Sequence, residues 1–199
     1  QIIDQFYSGE EITISEELCA EQKIKLYANQ FVMLVSSSNS KKTALARFRD
    51  HINPITAIPD FKNELSWGVT PRNKEQAFAY DLLFDSQVPL VSLIGRAGSG
   101  KTLMAISAGL EQTLGLRDNK YNKIVVSRPV QPLGKDIGFL PGTMEEKMLP
   151  WLMPLQDNLQ FILGNDKQIL LDFIEKGKIE IEALTYIRGR SIANAFIII

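Results

Sequence analysis

Cysteine and histidine are nearly missing from this chain: Cys19 and His51 are the single examples in 199 residues. One thiol makes no internal disulfide, so a disulfide scaffold is excluded and a reducing compartment is expected. Cys19 reads as a small buried hydrophobe and His51 as an ordinary surface residue. An excess of either charge is lacking too. Lys and Arg total 22 against 23 Asp and Glu, a net charge of -1, which rules out a broadly basic nucleic-acid binder and leaves room only for a local patch or channel. No uninterrupted apolar run approaches the roughly 18 residues that a membrane span requires. What is present is ordinary for a globular protein, 45% apolar and 23% charged, so disorder and collagen are poor readings. The chain opens at Gln1 with no signal-peptide pattern and closes on the apolar run Ala195 to Ile199, and on that ground it is expected to be a fragment of something longer.

Two patterns divide the chain. In residues 1–66, Ile12 to Ile14 and Gln30 to Val35 read as strands, and the polar Ser36 to Lys42 reads as a hairpin loop leading into Thr43 to Phe48. Pro54 and Pro59 punctuate a linker. This part has 7 basic and 9 acidic residues and is read as a small β-rich connecting module. Residues 67–199 alternate helix and strand instead. A helix is expected from Thr70-Pro71 to Phe84, a strand at Val88 to Ile94, a helix at Thr102 to Leu114 and a strand at Lys123 to Ser127. A helix at Gln168 to Lys176 and strands at Ile179 to Leu184 and Ala195 to Ile199 follow. Met148, Trp151, Leu152 and Leu155 recur at helical spacing, interrupted by Pro150 and Pro154. Such alternation predicts an α/β fold with a parallel sheet.

The sharpest signal is Gly95-Arg96-Ala97-Gly98-Ser99-Gly100-Lys101-Thr102, a match to G-x-x-x-x-G-K-[ST] at every fixed position. Chance produces such a match in on the order of 1% of chains this long. The glycines let successive N–H groups turn inward toward phosphate oxygens, and the helix that follows aims its positive end at the same anion. Gly95 through Leu103 are therefore the candidate nucleotide-binding residues. Lys101 is assigned to the β- and γ-phosphates as the catalytic cation, and the Thr102 hydroxyl to Mg²⁺. Hydrolysis also needs an acid at the end of a second buried strand. Phe196 to Ile199 is the candidate strand, with the acid expected beyond it. Asp136, Glu145 and Glu146 are read as solvated loop residues.

Further residues resemble the PhoH-like family of P-loop ATPases. They are Val126-Ser127-Arg128-Pro129, Gly138-Phe139-Leu140-Pro141-Gly142, Glu145-Glu146-Lys147-Met148 and Arg188-Gly189-Arg190. The stretch Leu26 to Val32 is similar to the module that precedes the ATPase when it is fused to an N-terminal PIN-type nuclease. In that family the run matching Phe196 to Ile199 continues into Asp-Glu-Ala-Gln. The resemblance implies a RecA-like sheet, ATP with Mg²⁺, RNA as substrate, a homo-oligomeric ring and an adenine-recognition element that includes Asn73 and Gln76. Asn73 is equally a helix-start residue. Arg128, at the carboxyl end of a strand, is open between a phosphate or RNA contact and a structural ion pair. Arg188 and Arg190 are open between a solvated turn and contact with RNA or a neighbouring subunit.

The expected function is an ATPase that remodels or unwinds RNA, with the fragment itself binding nucleotide and hydrolysing it poorly. A small-molecule kinase and a non-catalytic, nucleotide-gated assembly module are the alternatives. Residues 67–199 contain 15 basic and 14 acidic residues, so any RNA affinity must come from a focused site.

Overall fold

The structure, a computed structural model, describes residues 2–61, 65–116, 119–128, 144–187 and 189–199, with side chains except at 128, 144–152, 183, 185 and 186. The chain forms two compact units, Gln1–Asp60 and Phe61–Ile199.

The first unit carries strands β1 (Gln30–Val35), β2 (Thr43–Phe48) and β3 (Thr56–Ala57) in one antiparallel sheet of order β1-β2-β3. The expected hairpin is present, in register from Gln30 opposite Phe48 to Val35 opposite Thr43. Its polar loop closes on itself: Ser36 N–H donates to Lys42 C=O, and Lys41 N–H to Asn39 Oδ1. Two short helices, α1 (Ile2–Tyr7) and α2 (Glu16–Glu21), were not evident from the sequence, because six residues give too little periodicity to read. Ser15 caps α2 by accepting the Leu18 N–H. Ile12 to Ile14 is not a strand. It contributes one backbone bond, from Ile55 N–H to Ile12 C=O, and packs the half-buried Ile12 and Ile14 against Ala46, Phe48 and Ile55. Apolar packing, not a ladder, made that triplet apolar.

The second unit is α/β. Helices α3 (Lys74–Phe84), α4 (Lys101–Leu114), α5 (Met144–Ile162), α6 (Lys167–Glu175) and α7 (Leu184–Ile187) accompany strands β4 (Lys123–Arg128), β5 (Ile179–Ala183) and β6 (Ala195–Ile198). The three strands form a parallel sheet of order β5-β4-β6. Central β4 is wholly buried at Ile124, Val125 and Val126, as its continuous apolar run predicts. Register places Ile124 beside Ile179 and Phe196, and Val126 beside Ile181 and Ile198. This face packs on Ile106 and Leu110 of α4 and on Leu155, Leu159 and Ile162 of α5.

Three sequence expectations fail here. Val88 to Ile94 forms no strand, and Leu90 and Ile94 are 83% and 96% exposed. A buried parallel strand needs hydrogen-bonded neighbours, and the sheet among the described residues pairs none with it. Glu145 and Glu146 lie in the first turn of α5, not in a loop. Helix α5 also runs through Pro150 and Pro154 without interruption. Each proline removes a backbone donor at a cost of about 3 kcal/mol, offset here by core burial of Leu155, Leu159 and Ile162. The Asn158 amide also donates to the Pro154 carbonyl. Asp136 and the Gly138–Gly142 motif lie outside the described residues.

Helix α4 is buried from Met104 to Thr113 and lies very close to the sheet at Gly109. A Cβ there would stand 2.6 Å from Ile124 Cδ1 and 2.8 Å from Phe196 Cδ1. Gly109→Ala is therefore expected to destabilise the chain by about 1–3 kcal/mol through overpacking, even though alanine is the better helix former. A urea titration checks it; an unchanged midpoint would show that the sheet can yield.

Candidate functional site

The glycine-rich loop leads directly into α4. Gly98 and Gly100 take φ of +76° and +84°, left-handed values that glycine adopts without strain, and Gly100 is the N-cap of the helix. The loop is solvent-exposed from Gly95 to Ser99. Met104 N–H donates to Gly100 C=O at 2.8 Å, closing the first helical turn. The amides before it belong to the set that finds no acceptor within a helix and is free to meet an anion.

Lys101 folds back over this loop. Its ammonium donates to the carbonyls of Gly95 at 2.9 Å and Arg96 at 2.8 Å, and reaches Ser99 Oγ at 3.4 Å. All three acceptors belong to the loop. Thr102 is exposed on the first turn, and Leu103 anchors the turn by packing on the core.

Asn73 caps α3, its Oδ1 accepting the Gln76 N–H at 2.9 Å, so the helix-start reading is realised and the helix begins three residues after the expected Thr70-Pro71 start. Gln76, at the third position, turns its side chain back in a variant of the capping box. Its Oε1 accepts from Arg72 N–H at 2.7 Å, and its Nε2 donates to Ser99 C=O at 3.2 Å. Gln76 is thus brought against the phosphate loop, across 23 residues of sequence.

The arginines are distributed differently. Arg128 is the last residue of β4, opposite Ala183 at the carboxyl end of the sheet, and Arg188 lies outside the described residues. Arg190 follows a turn at Gly189 (φ +76°) closed by its N–H to Ile187 C=O. Its guanidinium binds both oxygens of Glu182 at 2.5 Å and Glu180 Oε2 at 3.2 Å. Glu180 also pairs with Lys123 at 2.6 Å. Glu182 beside it, and Glu180 more weakly, hold the Arg190 guanidinium still more firmly protonated than usual. Partial burial tends to raise the Glu180 carboxyl, but Lys123 and Arg190 together outweigh it and hold the group below the ordinary range.

Sequence reading missed the supports of α4. Glu111 is buried, and its carboxylate accepts the Ser66 N–H and hydroxyl, each at 2.8 Å; Ser66 Oγ in turn accepts from Leu116 N–H. Gln112 donates to Leu83 C=O and Lys120 to Phe84 C=O, satisfying the end of α3. A glutamate following the apolar run Met104 to Leu110 was the available signal. Tyr80, fully buried, donates to Val69 C=O, and burial pushes its phenol up to about 12.

A parallel α/β sheet, with a glycine-lysine loop at the head of its most buried helix, defines the P-loop NTPase class. The chain belongs to the PhoH-like family, whose model, described as PhoH-like protein, matches residues 68–199. Protein PhoH2 of Bacillus subtilis is 42% identical over 203 residues, covering all of this chain and 44% of the relative. Protein PhoH2 of Mycolicibacterium smegmatis is 34% identical over 200 residues, covering 99% of the chain and 42% of the relative. A PhoH-like protein of Synechocystis is 39% identical over 106 residues, 53% of the chain and 31% of that protein. The chain therefore spans less than half the length of these relatives.

The Glu180 network gives a pH test. A carboxyl held below its unfolded value contributes stability fully above about 4.5, and loses it as pH falls through the lower folded-state value. Glu180→Gln should therefore lower the urea midpoint at pH 7, with the gap to the parent closing as pH falls below about 4.5. A gap that stays constant with pH would remove the charge explanation.

Proposed function

We propose that this chain is the ATP-binding portion of a PhoH-like ATPase whose hydrolysis drives RNA remodelling in the whole protein. The observation that carries the reading is Lys101 folded over the left-handed glycine loop at the start of α4. The residues fit a magnesium nucleotide. The exposed loop from Gly95 to Ser99 and the first-turn amides of α4 suit a polyphosphate, and Lys101 exchanges its loop carbonyls for β- and γ-phosphate oxygens, stronger acceptors because they are charged. The Thr102 hydroxyl suits Mg²⁺, which when bound neutralises charge on the phosphates. Asn73 and the first turn of α3 belong to the element that receives the adenine, the Gln76 amide being already engaged by Arg72 and Ser99. The chain alone is expected to bind nucleotide with little turnover.

RNA enters the reading through the family. Arg128 and Arg188 are the proposed contacts to its backbone, and Arg190 joins them only by exchanging Glu182 and Glu180 for phosphate. A cytoplasmic ring that concentrates such residues in a channel, linked to a PIN-type ribonuclease, supplies an affinity that the near-neutral composition lacks. No helix among the described residues is long and apolar enough to cross a membrane.

Calorimetric titration with MgATP tests the site. Lys101→Ala is expected to weaken binding roughly 10- to 100-fold, the value of a charge-assisted phosphate contact. Equal affinity would remove the assignment. In the whole protein RNA should raise ATP turnover; a turnover rate that is present but flat across RNA concentrations would overturn the RNA half alone.

A further inference from the structure

We propose that Gln76 is a positioning residue for the phosphate loop, acting on Lys101 through Ser99 independently of any base. The inference rests on the nucleotide-binding reading above and deepens it.

The side chain of Gln76 is bound at both ends. Its oxygen accepts from the backbone of Arg72, and its nitrogen donates to the Ser99 carbonyl. Its own N–H is held by Asn73, so the amide projects from the anchored first turn of α3. The far end of that strut meets the peptide linking Ser99 to Gly100, where the loop makes its left-handed turn into α4. The approach is close: a Cβ on Gly100 would lie 3.2 Å from Gln76 Nε2. The peptide that Gln76 holds also sets the place of Ser99, whose hydroxyl is within 3.4 Å of the Lys101 ammonium. The contacts thus run from Arg72 through Gln76 and Ser99 to Lys101.

Only an amide does this in one step. The Arg72 N–H is a donor and the Ser99 C=O an acceptor, and glutamine offers the matching group for each at the ends of a single planar amide. A glutamate of the same size keeps the acceptor but sets a carboxylate oxygen against the Ser99 carbonyl. The loop bond is complete without adenine, so its effect extends to ligands that have none.

The test compares MgATP with magnesium tripolyphosphate, which carries the phosphate chain and no base, by calorimetry on the full chain. Gln76→Ala is expected to weaken both by a similar factor of about five, the value of one net hydrogen bond. Gln76→Glu should weaken both at least as much despite its matching size, and thermal midpoints should stay within a few degrees of the parent for both variants. Loss of ATP affinity with unchanged tripolyphosphate affinity would make Gln76 a base reader and overturn the proposal, as would unchanged affinity for both. A parent chain that binds neither ligand overturns the nucleotide-binding reading itself.

Discussion

Everything in the second unit depends on how α4 is held. Helix positions from Met104 to Thr113 are buried one after another, which a helix achieves only when it is covered on every side. The sheet covers one side, at a distance set by the missing side chain of Gly109, while α3 and α5 cover others. A helix confined in this way cannot tilt or slide without disturbing close packing all round. Its first turn therefore has a defined direction, and the loop at its head inherits it.

Total burial brings a polar problem, and the same residues solve it. Glu111 and Gln112 are used as fasteners, one gripping Ser66 and the other the end of α3. Both ends of α3 are thereby tied to the α4 region, since Gln76 at its start reaches the loop and Leu83 and Phe84 at its finish are bonded by Gln112 and Lys120. The opposite face of the sheet is built differently. On β5, Glu180 and Glu182 alternate with Ile179 and Ile181, so one face is core and the other carries the pairs with Lys123 and Arg190.

The sequence made legible what depends on local pattern. The G-x-x-x-x-G-K-T loop, α4, α6 and the strands β4 to β6 are each long or periodic enough to read directly, and the parallel arrangement follows from their alternation. What escaped depends on neighbours. Val88 to Ile94 reads as a strand from its side chains, yet strand formation requires partners that composition does not reveal. The prolines of α5 read as breaks, because core packing of residues beyond them is invisible in the local pattern. The part played by Ser66, and the second bond of Gln76, join residues 45 and 23 positions apart, and spacing along the chain carries no trace of either.

The folded-back lysine has a consequence for selectivity. Lys101 already holds two carbonyl oxygens, with a hydroxyl nearby, so an incoming anion does not meet a bare cation; it competes with acceptors already in place. A singly charged ion with one point of contact offers little advantage over them. A chain of phosphates offers several charged oxygens at once, enough for the lysine and the helix amides together. Displacing these acceptors therefore favours ligands that bring several charged oxygens together.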